Sequence, residues 1–102
     1  MLIVAIVQFA LFEHATHVAQ AVANEGLAAS RVYGGTEASG NEAATAVLDQ
    51  LGNSVLVGGQ VATTRGAMTT SVTVTGAAES LLPFLRLSVH VVASAPTERF
   101  VP

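Results

Sequence analysis

Apolar and polar positions alternate with different periods along this chain, and each change of period marks an expected element. Leu2–Val7 is a continuous apolar run rich in β-branched Ile3, Val4, Ile6 and Val7, which reads as a central strand covered on both faces. From Glu13 to Glu25 the period becomes helical. Ala15, Val18, Ala19 and Val22 form one stripe, His17, Gln20 and Asn24 lie off it, and Gly26 reads as the stop. Ala28–Tyr33 reads as a second strand closed by Gly34 and Gly35, followed by a loop with the sequence TEASGN. Ser39 and Glu42 have capping-box spacing, and Ala44, Val47, Leu48 and Leu51 behind them recur at helical intervals until Gly52.

The second half reads mostly as strand. Ser54–Gly59 is a short apolar strand in which Gly58 and Gly59 permit a bulge or a close approach. A polar loop at 62–67 separates it from Met68–Thr75, where Met68, Val72 and Val74 alternate with Thr69, Ser71, Thr73 and Thr75. Ala77–Arg86 reads as a helix shortened or broken by Pro83. Leu87–Ala93 is the last strand, with Leu87, Val89 and Val91 on one face and Ser88 and His90 on the other. Residues 95–102, with Pro96 and Pro102, read as a tail along the surface. The order strand, helix, strand, helix, strand, strand, helix, strand predicts a single α/β domain of the α+β kind over 1–102. Its expected form is a ferredoxin-like mixed or antiparallel sheet with helices on one face.

Composition adds an association argument. Among 102 residues, 51% are hydrophobic and only 11% charged, with seven acids, four arginines and no lysine. So little charge covers a small domain poorly, and identical subunits hiding each other's apolar faces resolve the shortage. The net charge of −3 argues against nucleic acid as a partner. The absence of cysteine removes disulfides, thiol chemistry and Cys-based zinc sites, and fits a cytoplasmic chain. The opening MLIVAIVQFALF is shorter than a bilayer span and lacks a basic flank, so a buried strand is expected there, with no membrane partner.

Candidate chemistry is thin. His14 and His17 share a helical face and would place two imidazoles near one metal ion, but the spacing is not that of a known zinc motif. Solvent-facing histidines explain the pair as well. His90 with Ser88, Asp49, Ser54 or Ser71 supplies the residue types of a hydrolase triad, without a nucleophile-elbow sequence. Neither glycine pair begins a phosphate loop, and no lysine is present to reach a phosphate. No cofactor is expected. Thr63, Thr64, Arg65 and Gly66 gather hydroxyls, a cation and a flexible glycine at a hairpin tip; copies around an axis would form a ring of donors for small anions or polar metabolites.

EAATAVLDQLGNSVLVGG, then a polar loop, TSVTVTG and SVHVV, over residues 42–94, resembles the shell proteins of bacterial microcompartments. The matching positions are Glu42, Ala43, Ala44, Ala46 and Leu48; Leu56, Val57 and Gly58; Gly76; and Ser88, Val89, His90 and Val91. The terminal Phe100, Val101 and Pro102 are similar to the family's ending. The resemblance implies a non-enzymatic structural subunit that self-assembles, with a homohexamer enclosing a pore and Thr63, Thr64, Arg65 and Gly66 as the pore loop. The chain departs from the family in lacking any lysine, in Pro83, and in its first 27 residues. Two alternatives are a PII-like trimer sensing a small metabolite and a dimeric ferredoxin-like barrel enzyme using His90 or His14 and His17.

Overall fold

The computed structural model describes residues 2–32, 34–51, 56–80 and 87–98. Two helices come first, α1 (Leu2–Arg31) and α2 (Glu37–Leu51), and three strands follow, β1 (Leu56–Arg65), β2 (Thr69–Ala78) and β3 (Ser88–Pro96). The strands form one antiparallel sheet in the order β1-β2-β3. The class is α+β as expected, with helices packed against an antiparallel sheet. The order of elements is not the alternating one expected, because Leu2–Val7 and Ala28–Arg31, both read as strand, are helical, while Tyr33 lies outside the described residues.

The first correction concerns Leu2–Val7. This run is the opening of α1, a helix of 30 residues. β-Branched side chains favour strands only weakly, and tertiary context overrides that preference. Between Leu2 and Gly26 the sequence contains neither Gly nor Pro, so nothing interrupts the helix that Glu13–Glu25 requires. The second correction concerns Gly26 and Ala28–Tyr33. Gly26 does not stop α1, which continues to Arg31 and turns at Gly34, where φ is 83°.

Gly26 is instead where the two helices touch. A Cβ on it would lie 3.1 Å from both Ala44 Cβ and Gly40 O, and one on Gly40 would lie 2.7 Å from Ser30 Cβ. Two bare backbones let α1 and α2 cross closely and lay a common floor on the sheet. α2 begins one turn before the expected capping box. The reciprocal bonds run between Thr36 and Ser39: Ser39 N donates to Thr36 Oγ1 at 3.0 Å, and Thr36 N donates to Ser39 Oγ at 2.9 Å. The stripe of Ala44 and Leu48 is buried as expected. The expected stop at Gly52 lies outside the described residues.

β1 is longer than the expected Ser54–Gly59 strand and absorbs most of the loop expected at 62–67. The register shifts between Val57 and Gln60, where Gly58 takes a φ of 64°, so the expected bulge is present. β2 extends through Ala77 and Ala78, the first residues of the expected third helix; Ala78 N donates to Leu87 O at 2.9 Å and keeps the chain in the sheet. Leu81–Arg86, the rest of that helix, lies outside the described residues. β3 carries the chain to Pro96, so the start of the expected tail is strand.

Register divides the sheet into two faces. Leu56, Val72, Val74, Val89 and Val91 point to the helices and, with Ala15, Val18, Ala19, Val22 and Ala23 of α1, make the core. Gln60, Thr73, Thr75, Ser88, His90 and Val92 point the other way. Such a hydroxyl-rich outer face is what an antiparallel sheet tolerates against water. Met68, expected to share the inner face with Val72 and Val74, sits in the hairpin turn and is exposed; Thr70 takes the inner position.

Candidate functional site

α1 has two halves. From Ala15 onward its stripe of Ala15, Val18, Ala19, Val22, Ala23, Gly26 and Ser30 is buried on the sheet and α2. Before Ala15 only Gln8 is buried. The first three turns are an arm beside the head of the molecule, with Ile3 77%, Ile6 60% and Phe9 63% exposed.

The outward face of α1 changes character along its length. Ile3, Ile6, Ala10, Glu13, His17, Gln20 and Asn24 follow one another three and four residues apart, and all are exposed. Exposure is continuous along this stripe, yet its chemistry switches from hydrocarbon to polar between Ala10 and Glu13. Among the described residues the large exposed hydrophobics are Leu2, Ile3, Ile6, Val7, Phe9, Val32, Val57, Met68 and Val92, and the first five lie on the arm. Among the described residues, more than half of these exposed side chains therefore lie on the arm.

α1 is long and apolar enough to cross a membrane, judged by length and composition. The core helix of a water-soluble domain, which is mostly buried, and a signal sequence near an N-terminus meet the same criterion; here 22% of an apolar 18-residue stretch near the N-terminus is buried. The expectation of no membrane partner rests on the shortness of the opening apolar run, its missing basic flank and a buried strand at Leu2–Val7; of these, the strand is replaced by helix.

No protein-family model, curated protein or solved structure matches this chain.

The residues singled out at the hairpin occupy the opposite end of the head. Thr63 is buried on the inner face and donates to Asn41 Oδ1 at 2.7 Å, whereas Thr64 is exposed on the outer face. Arg65 ends β1 with its guanidinium turned to the C-terminal end of α1. Nε donates to Ser30 O at 2.7 Å, and Nη2 donates to Val32 O at 3.1 Å and Glu98 O at 3.3 Å. Carbonyls at a helix C-terminus lack intrahelical partners and carry the negative end of the dipole, so a cation belongs there. Gly66 opens the turn, its N–H bonded to Thr69 O and its carbonyl to Thr97 Oγ1. Arg31 closes the same end through Pro96 O at 3.1 Å and an ion pair with Glu98 at 3.5 Å. Apart from the Glu98 carboxylate, the acceptors of this clasp are backbone carbonyls, which no sequence pattern marks.

His14 and His17 are exposed just beyond the arm, and among the described residues no group of three or more His, Asp or Glu side chains is placed to hold a metal ion. His90 faces out opposite Thr75, beside an open depression of about 380 Å³ shared with Gln60 and Ser88. Ser71 pairs with Ser94, two outer-face rows away, and Asp49 lies on α2, across the sheet. The four are not brought together. Ser54 lies outside the described residues.

Proposed function

We propose that this chain is a structural, non-catalytic subunit held at a membrane by the apolar arm of α1, with its head in water and available to copies of itself. The observation that carries this reading is the switch from Ile3, Ile6 and Ala10 to Glu13, His17 and Gln20 on one uniformly exposed helix face. Moving a Leu, Ile or Phe side chain out of water is worth about 1.5–3 kcal/mol, so the arm's large side chains together favour an apolar medium by the order of 10 kcal/mol. The described arm from Leu2 to Phe12 is roughly 16 Å long at 1.5 Å per residue, enough to pass a headgroup layer of about 5–8 Å and enter the hydrocarbon.

Self-association is the second part of the proposal. Its support is the shortage of charge and a sheet whose outer face carries no helix among the described residues. The hexamer and pore implied by the shell-protein resemblance are the narrower version of this part. Flotation with phosphatidylcholine vesicles tests the membrane reading: the full chain is expected in the lipid fraction, and recovery at the bottom of the gradient contradicts it. Mass measurement of the detergent-solubilised particle tests the rest. Several copies per particle are expected, six in the narrower version, and a single copy at all concentrations removes self-association.

A further inference from the structure

The arm contains one polar residue between Leu2 and Phe12, and the head reaches out to cover it. Gln8 is 4% exposed although Val7 and Phe9 beside it are open. Its Nε2 donates to Glu79 O at 3.0 Å, and Ser80 Oγ donates to its Oε1 at 3.3 Å. An amide moved into hydrocarbon without partners costs several kcal/mol. The chain just beyond β2 supplies those partners, so the arm offers lipid no uncovered polar group at this level.

These bonds also mark how far the described residues of the head reach along the arm. Glu79 and Ser80 lie level with Gln8, five residues to the arm side of Glu13, or roughly 7 Å along the axis. A bilayer of about 40–45 Å with a core of about 30 Å leaves about 5–8 Å of headgroup layer on each side. With Glu13 at the water edge of that layer, Glu79 and Ser80 fall at its inner edge. At the other end, the Arg65–Met68 turn packs by Arg31, roughly 35 Å from Gln8 along the same helix.

We propose that the head stands upright on the membrane, its Glu79–Ser80 end seated among the phospholipid headgroups and its β1–β2 hairpin turned away. This rests on the reading of the arm as lipid-buried and adds a second contact surface and an orientation. Exposed Glu13 and Glu79 put carboxylates in that layer, which suits zwitterionic headgroups with an outward cationic group better than anionic ones.

The chain has no cysteine, so single-cysteine variants label cleanly. Ile6→Cys, Glu79→Cys and Met68→Cys, each carrying a nitrobenzoxadiazole dye, are reconstituted in phosphatidylcholine vesicles with nitroxide-bearing lipid. Strong quenching is expected at Ile6, at least a twofold loss of emission at Glu79, and no change at Met68. Ser80→Cys repeats the middle position should the Glu79 variant fail to fold. Quenching at Ile6 with Glu79 and Ser80 as bright as Met68 overturns the upright orientation and leaves the arm in lipid. An unquenched Ile6 overturns both.

Discussion

The two halves of α1 are one unbroken helix solving opposite problems. The second half presents Ala15, Val18, Ala19, Val22 and Ala23 to the sheet and polar residues to the outside, the ordinary amphipathic arrangement of a helix packed on a core. The first half is apolar nearly all round, and beside its own head it covers only a narrow strip around Gln8. A helix that is hydrophobic on every side belongs inside something. Burial within the chain accounts for the apolar stripe from Ala15 onward and not for the exposed apolar side chains before it; the proposed membrane contact is what would cover those.

The most direct way to break the comparison is to give the first half the outer chemistry of the second. Ile3→Asp, Ile6→Asp and Phe9→Asp together are expected to reduce vesicle binding by roughly 1,000-fold or more, since they remove at least about 4 kcal/mol of apolar transfer. Unfolding of the head, followed by circular dichroism, is expected to change little. If the head loses its structure as well, the arm is part of the core after all.

Breaking the second half instead calls for a change at the helix crossing. Gly40→Val places atoms where Ser30 Cβ would be 2.7 Å from the new Cβ, and backbone stands in the way of relaxation. A loss of about 1–3 kcal/mol is expected, or a fall of roughly 4–8 °C in Tm per kcal/mol. Vesicle binding is expected to survive at temperatures where the head is folded. Equal losses in stability and binding would show that the two halves are not separable.

The clasp far from the arm should be quieter. Arg65→Ala removes charged donors from Ser30 O, Val32 O and Glu98 O and is expected to cost about 1–2 kcal/mol in thermal unfolding, partly restored by water at this half-exposed position. The same variant tests the hairpin as an anion site: unchanged stability with altered binding of small anions would return Arg65 to a ligand role. Smallest of all is Arg31→Gln, whose exposed pair with Glu98 at 3.5 Å is worth about 1 kcal/mol or less and fades with salt.

How much of this was legible in the sequence follows the same division. Period-2 alternation identified Val72 and Val74 against Thr73 and Thr75, and period 3.6 identified the buried stripes of Ala15–Val22 and Ala44–Leu48. Those elements have two chemically different faces, and periodicity reads faces. Leu2–Val7 has none, and an apolar run without alternation fits a buried strand and an apolar stretch of helix alike. The absence of a breaker before Gly26 was the available signal. Gly26 itself misled, because a glycine inside a helix at a close crossing looks in sequence like a glycine at its end. Arg65 was noticed for its charge, but its partners are carbonyls of residues over 30 positions away in the chain, which no local pattern encodes.

The central claim is that the outer stripe of α1 passes from one medium to another between Ala10 and Glu13. Single cysteines at Ile3, Ile6, Ala10, Glu13, His17 and Gln20, in vesicle-bound protein, can be scored for reaction with a water-soluble maleimide. Protection at Ile3 and Ile6, slowed labelling at Ala10 and ready labelling at the last three are expected. Uniform labelling along the stripe would contradict the claim and leave the arm in water.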